Sequence, residues 1–393
     1  MVEPAIACAR GADKDQAKSA NADLCRSLGF LVAPLKVIIN GRFLLGGGTG
    51  VHRVAEELVV HVHALLAERP DLRARIAFEL WTPHSAADRA RALGVPHRIV
   101  GPLHGRSWEQ ITLPIRARGG LILSLCNVGV IATSNSVTML HDAQVHLTPA
   151  SYSPAFRAWY RFQQGLIGHR HRRILTVSDY SREQLVRFAI APADRIRVIP
   201  NGIDHIGRAE PAPAILTSLG LVPGRFVVSL ANTQAHKNIP MLLRAFADPR
   251  LRDMTLVLFG ADTAEAFRAL GHAIPDNVRF AGRVSDRELA GLFADALCMA
   301  FPSCTEGFGL PPLEAMRSGC PAVVAPAGAL PEVCGEAALY ADPHDPAGWV
   351  EAVLRLHDDP DLRAHLIAAG EQQAARFTWR AAAERLVEEL LAL

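Results

Sequence analysis

Apolar positions along this chain fall into short runs that alternate with stretches of helical periodicity. Residues 35–40 (LKVIIN) read as a strand, and the glycine-rich stretch 46–50 reads as a turn. A helix is expected over 51–68, with Val51, Val54, Leu58, Val62 and Leu65 on one face. Further strands are expected at 76–81, 121–125, 137–140, 174–177 and 196–199, with a helix at 181–188. Pro200-Asn-Gly-Ile-Asp204 is turn-rich, and a polar, proline-containing segment runs on to Pro213. A second cycle follows. Its strands are expected at 225–230, 255–259, 278–280, 298–302 and 322–325, and its helices at 238–247, 286–294 and 311–318. The last of these helices is closed by Gly319.

This alternation, run through twice, predicts an α/β fold of two facing, doubly wound, Rossmann-like domains. The expected bounds are 35–205 and 206–374, with a C-terminal helical segment over 375–393. Residues 1–34 read as a polar leader, expected to be disordered, without the continuous apolar core of a signal peptide. A length of 393 residues suits two domains, and a half-hydrophobic composition gives each a core.

A formal charge of +2, from 41 basic and 39 acidic residues, argues against a nucleic-acid partner. The seven cysteines are odd in number and form no Cys-x-x-Cys pair, so reduced, mostly buried thiols are expected. No apolar run reaches the length of a membrane span. A cytoplasmic protein is therefore expected, with any membrane contact peripheral.

The segment 301–319 (FPSCTEGFGLPPLEAMRSG) carries the most chemistry. It leaves an apolar strand and enters a helix, where ligands of open α/β sheets bind. Gly307 and Gly309 let the backbone approach a ligand, and the helix start offers free N–H groups to an anion. Glu314, expected in the first turn, can accept hydrogen bonds from sugar hydroxyls. Taken alone it reads first as a solvated glutamate on a capped helix. Glu306 can face the same cleft. His141-Asp142 follows the strand ending near Leu140, where a general base, a positioning group or a turn-forming aspartate would each stand. Residues 154–173 interleave Phe156, Trp159, Tyr160 and Phe162 with arginines. That is the pattern of a helix packed on the sheet with a basic end, or of a helix at a membrane interface. Two Asp-x-Asp triplets, Asp13-Lys14-Asp15 and Asp359-Pro360-Asp361, follow no core strand. No metal site is expected.

Glu306-x7-Glu314, with Gly-Phe-Gly-Leu-Pro-Pro between, resembles the donor-site motif of retaining glycosyltransferases of family 4, which have the GT-B fold. The resemblance runs from about Leu35 to the C-terminus. Residues 38–43 and 48–53 are similar to the first loop of a bacterial, mannosyltransferase-like branch. Residues 175–183 and 198–204 resemble the family's domain junction, and His236-Lys237-Asn238 stands where its donor-phosphate lysine does. The resemblance implies an N-terminal acceptor domain, a C-terminal nucleotide-sugar domain and a last helix, 379–391, crossing back to the first.

It also implies roles. Lys237 contacts the donor diphosphate, and Glu314 binds the ribose hydroxyls. Glu306, with the backbone of Phe308, Gly309 and Leu310, holds the transferred sugar and the phosphates. Gly48 and Gly50 bring the opposite wall near the donor, and His141 or Asp142 stands at the reacting centre. The family has no established protein nucleophile, and a donor phosphate oxygen can take the acceptor's proton. One departure is that no arginine precedes Lys237. Asn232 and Thr233 could donate neutral hydrogen bonds instead, with Arg53 as a further substitute. The implied task is transfer of a sugar to a glycan or lipid-linked acceptor in bacterial polysaccharide or glycolipid assembly. Mannose from GDP-mannose is the first choice and a UDP-sugar the second. A sugar-nucleotide epimerase and a non-catalytic nucleotide-sugar-binding subunit are the rivals. The sugar nucleotide is a co-substrate, and no cofactor is expected.

Overall fold

The computed structural model describes residues 33–208 and 210–393. Cys8, Cys25, the triplet Asp13-Lys14-Asp15 and almost all of the expected leader lie outside the described residues. Seven parallel strands form the first sheet: β1 (Leu35–Asn40), β2 (Ile76–Thr82), β3 (His97–Ile99), β4 (Leu121–Ser124), β5 (Ser136–Met139), β6 (Arg173–Thr176) and β7 (Ile196–Val198). Six form the second: β8 (Phe226–Ala231), β9 (Thr255–Gly260), β10 (Val278–Gly282), β11 (Cys298–Phe301), β12 (Ala322–Val324) and β13 (Ala338–Tyr340). Five helices position the site. They are α1 (Gly50–Glu68), α2 (Pro154–Arg170), α3 (Asp179–Arg187), α4 (Leu310–Arg317) and α5 (Trp379–Leu391).

Continuous apolar strands suit parallel sheets because helices cover both faces. Val37, Ile38 and Ile39 are consecutive in β1, and all three are buried. The strand orders are β3-β2-β1-β4-β5-β6-β7 and β10-β9-β8-β11-β12-β13. Each order reverses direction once, between β1 and β4 and between β8 and β11. A crevice opens at the carboxyl ends of the strands on either side of such a switch point. The loops after Asn40, Ser124, Ala231 and Phe301 therefore line the natural ligand sites.

Edge strands β3 and β13 were not expected, because three residues are too few to show a period. The turn of π-helix at Trp108–Thr112, followed by the short helix Leu113–Arg116, was also not expected. Pro114 obscures the helical pattern there. Among the described residues no helix is long and apolar enough to cross a membrane. Cys126, Cys298, Cys304, Cys320 and Cys334 are free thiols.

The last helix does return to the first sheet. Leu386, Val387 and Leu390 of α5 share one buried cluster with Leu58, Val62 and Leu65 of α1. Arg173 Nη1 reaches Glu389 Oε2 at 2.6 Å, tying the start of β6 to the same helix. The crossing segment also clasps the junction. Ile203 N donates to Phe377 O at 3.1 Å, and Trp379 N donates to Asp204 Oδ1 at 2.7 Å. A Cβ on Gly202 would stand 2.2 Å from Trp379 N, so only glycine admits this approach.

Candidate functional site

The loop after β8 begins with two polar residues bonded within the second domain. Asn232 Oδ1 accepts from Gln234 N at 2.8 Å. Thr233 donates through N and Oγ1 to Asp262 Oδ2, at 2.6 and 2.8 Å. The Thr233 hydroxyl proton is thus taken by Asp262, which corrects the expectation that it serves an anion in the cleft. The loop then turns through Lys237, whose Nζ lies 2.7 Å from Glu306 Oε1. Lys237 also stands over the Phe301 ring, 5.9 Å from its centroid. Two segments separated by 69 residues thus bring a cation and a carboxylate together at the switch point of the second sheet.

Helix α4 starts at Leu310, after Gly309 in the left-handed region at φ 105°. Pro311 and Pro312 fill its first turn, where a missing N–H costs nothing. The start at Leu310 puts Glu314 one turn in, not in the first turn as expected. Its Oε1 lies 3.1 Å from Nε2 of His205, and His205 Nδ1 lies 3.1 Å from the indole Nε1 of Trp379. The sequence reading passed over His205. Its only signal was its place directly after the junction turn. The Phe308 side chain is buried edge-on against Phe377, so that residue offers the cleft its backbone alone.

Gly50, the first residue of α1, faces this loop. A Cβ there would lie 3.6 Å from Leu310 Cδ1. Gly48 is in open space. Arg53 forms a bidentate pair with Asp286, both bonds at 2.8 Å. A donor phosphate would have to share Arg53 with that carboxylate, which comes from the other domain.

Asp142 lines a cavity of about 590 Å³ at the switch point of the first sheet, together with Asn40, Arg42, Cys126, Asn127 and, from the other domain, Gln234. Burial raises the Asp142 carboxyl above its ordinary range; the Gln144 amide opposes this, and the charge of Glu306 adds to it. The His141 ring is buried beside the cavity, with Nε2 2.8 Å from Leu125 O, and burial pushes its pKa down to about 4. It is neutral near pH 7.

The floor of the cavity holds a carboxylate that sequence reasoning missed. Glu109 is buried, with Oε1 accepting from Asn40 Nδ2 at 2.8 Å and Oε2 3.0 Å from Arg42 Nε. Helix α2 presents its aromatic face here. Tyr152 stacks on Phe156 at 5.4 Å and Phe156 on Tyr160 at 4.7 Å, and all three line the cavity. The residues of α2 buried in the fold are Gln163, Gln164, Ile167 and Gly168, so its aromatics line the cavity rather than pack on the sheet, except Phe162, which is exposed.

The two domains touch across the site. Gly307 O accepts from Ser178 Oγ at 2.6 Å and from Ser181 Oγ at 3.0 Å. Gln144 Nε2 donates to Thr305 O at 3.1 Å. The Glu332 carboxylate accepts from the Asp179 and Tyr180 amides, at 2.8 and 2.9 Å. Those amides open α3, where a negative charge is favoured.

Burial also pushes His171 and His236 down to about 4. An unfolded histidine titrates near 6.5. Between about pH 6.5 and pH 4 the unfolded chain therefore binds more protons than the native one. The stabilisation from His141, His171 and His236 is complete above that window and is lost as pH falls through it. Asp142 acts in the opposite sense, but the imidazoles outnumber it. Urea melts are expected to show lower stability at pH 5 than at pH 7, by on the order of 1–2 kcal/mol per imidazole. His171→Gln should reduce that difference by the share of one imidazole. Equal stability at the two pH values would contradict the buried neutral rings.

Two family models match the chain: Glycosyltransferase Family 4 over residues 46–205, and Glycosyl transferases group 1 over residues 220–373. The chain is 34% identical over 260 residues to O-antigen chain mannosyltransferase B of Escherichia coli, covering 62% of this chain and 67% of that protein. It is 33% identical over 261 residues to the MMP alpha-(1->4)-mannosyltransferase of Mycolicibacterium hassiacum, covering 63% and 61%. It is 31% identical over 289 residues to the D-inositol 3-phosphate glycosyltransferase of Corynebacterium diphtheriae, covering 68% and 66%. The matched segments thus span about two thirds of each relative or slightly less. Among solved structures, Anabaena HepE in complex with UDP and glucose superposes with a TM-score of 0.69 at 20% identity, covering 91% of this chain and 100% of that one. WaaG, a glycosyltransferase of lipopolysaccharide biosynthesis, does so at 0.64 and 14% identity, covering 91% and 99%. At those identities the likeness is one of fold, the GT-B arrangement of two Rossmann-like domains.

Proposed function

The chain belongs to glycosyltransferase family 4, and from that premise we propose that it moves a sugar, with retention of anomeric configuration, from a sugar nucleotide to a glycan or lipid-linked acceptor. The observation that carries this reading is the pairing of Lys237 with Glu306 at the second sheet's switch point, with Glu314 in the helix that follows and with Asp142 and the 590 Å³ cavity of the other domain beside them. The C-terminal domain takes the donor and the N-terminal cavity takes the acceptor. Lys237 places its charge on the diphosphate, and the amides of Phe308, Gly309 and Leu310, ahead of the two prolines of α4, add donors. Glu314 accepts from the ribose hydroxyls. Glu306 gives up part of its pairing with Lys237 to hold a hydroxyl of the moving sugar.

In the transfer, the acceptor oxygen bonds to the anomeric carbon. The bond from that carbon to the phosphate oxygen breaks, and its electron pair leaves with the phosphate. The acceptor's proton passes to a phosphate oxygen. Asp142, at the cavity beside Glu306, orients the attacking hydroxyl. Mannose from GDP-mannose is the preferred donor, because two of the relatives at 33–34% identity are named mannosyltransferases. UDP-glucose is the second reading, since HepE was solved with that nucleotide sugar. The site of action is the inner face of a bacterial membrane. Ile111 and Ile115 are exposed beside Arg116 and Arg118, which suits peripheral contact with lipid.

Labelled sugar nucleotides offered with lipid-linked sugar acceptors, with products read by mass, test the proposal. Transfer from GDP-mannose is expected. An isomerised nucleotide sugar without transfer would point to an epimerase, and binding without turnover to a subunit that has lost catalysis.

Transfer should also survive chelation. Among the described residues no cluster of three His, Cys, Asp or Glu side chains could hold a metal ion. Asp359 of the second triplet caps a helix, its Oδ1 accepting from Leu362 N at 2.8 Å. Initial rates in excess EDTA are expected to equal those without it. Loss of transfer, restored by magnesium or manganese, would reverse this expectation.

A further inference from the structure

His205 stands between two groups that select the tautomer of its neutral ring. An indole N–H donates and never accepts. Trp379 Nε1, 3.1 Å from His205 Nδ1, therefore requires a bare lone pair on Nδ1. The proton of the neutral ring is then on Nε2, which faces Glu314 Oε1 at 3.1 Å. The other tautomer would leave the indole N–H unpaired in a fully buried place and set a nitrogen lone pair against a carboxylate oxygen. Both aromatic side chains are enclosed, so neither can turn away.

The same tryptophan is fixed from three sides. Its backbone N donates to Asp204 Oδ1 at 2.7 Å, next to His205 in the chain. Its indole is buried in the cluster that joins α5 to α1. His61 of α1 stacks on it, with ring centroids 6.4 Å apart. The orientation of Glu314 is thus referred, through one imidazole, to the helix that crosses back to the other domain.

We propose that His205 and Trp379 are positioning residues for Glu314. The indole sets the imidazole tautomer, the imidazole holds Oε1, and Oε2 is left aimed for the donor's ribose hydroxyls. Donor recognition then depends on the crossing helix being docked. This rests on the reading of Glu314 as the ribose-binding carboxylate.

The test compares the affinity of GDP with that of 2′-deoxy-GDP by calorimetry, with UDP and its 2′-deoxy form in parallel. Wild type should prefer the ribonucleotide about tenfold, the size of one well-placed charge-assisted hydrogen bond. Glu314→Gln should abolish the preference. Trp379→Phe keeps a buried ring but lacks the N–H, and His205→Leu lacks both nitrogens. Each should cut the preference to about twofold or less, raise KM for the donor and leave kcat at saturating donor near wild type. His205→Gln, whose amide can accept from the indole and donate to the carboxylate, should recover most of the preference. Ring ¹⁵N shifts should show His205 protonated at Nε2 in wild type and a mixture of tautomers in Trp379→Phe. A wild-type preference in folded His205→Leu and Trp379→Phe, with Glu314→Gln losing it, would sink the positioning role alone. A preference that survives Glu314→Gln would sink the ribose assignment beneath it. Should Trp379→Phe fail to fold, the His205→Leu and His205→Gln pair decides the matter.

Discussion

Glu306→Gln should lower kcat by about 100-fold or more, while the affinity for the nucleoside diphosphate stays the same or tightens. The two directions follow from one contact. Glu306 Oε1 lies 2.7 Å from Lys237 Nζ, in a place where both side chains are mostly buried. A neutral amide at 306 can still fill the space but neutralises Lys237 less. The diphosphate then meets a less compensated cation, so product binding does not weaken. The transition state carries a sugar with developing positive charge, and a carboxylate beside it stabilises that charge where an amide does not. An electrostatic group of this kind is typically worth 10²–10³ in rate. Lys237→Ala should fail differently, raising the nucleotide's dissociation constant as well as lowering kcat. Initial rates beside calorimetry with GDP separate the two. A Glu306→Gln enzyme with normal kcat would remove Glu306 from the transfer centre.

The second large effect concerns stability. Truncation before Trp379 removes an entire helix whose inner face is buried, including Trp379, Ala382, Ala383, Leu386, Val387 and Leu390. It would also strip the cover from Leu58, Val62 and Leu65 of α1. A single buried tryptophan-to-alanine change costs about 3–5 kcal/mol and a leucine-to-alanine change about 2–5. Domains are stable by only about 5–15 kcal/mol, so the truncated chain should not hold a native first domain. Trp379→Ala is the milder version and should lower Tm by about 10 °C. Glu388→Ala, on the exposed face of the same helix, should change it little. Calorimetric scans of the three chains check this. A truncated protein with wild-type melting and rate would show that the helix does not hold the domains together.

Much of the site was legible because its residues stand in loops that immediately follow core strands. Lys237, Glu306, Glu314 and Asp142 each come within about fifteen residues of a strand end, and the parallel topology delivers such loops to one edge of the sheet. The partners of Thr233 and Arg53 could not be read, because a polar side chain has many partners to choose from. Thr233 went to Asp262, and Arg53 went to Asp286, 233 residues away. Glu109 gave no periodic or motif signal at all, and His205 only its place after the junction turn. Their importance lies in what they touch.

The sequence by itself determined the two runs of alternating strands and helices and hence the two doubly wound sheets, while the strand orders that place the switch points came from the structure. A strand buried on both faces must be apolar throughout, and a helix that covers it must show one apolar stripe. Both are properties of a single segment and can be read from it. Only the tertiary structure decided that Asn40 meets Glu109, that Gly307 is held by Ser178 and Ser181, and that His205 bridges Glu314 and Trp379. Those contacts join segments up to 174 residues apart, and most of them cross between domains. Hydrogen bonds are short and directional. Which donors find which acceptors therefore depends on how two finished sheets are set against each other, and no local pattern of apolar and polar positions carries that information.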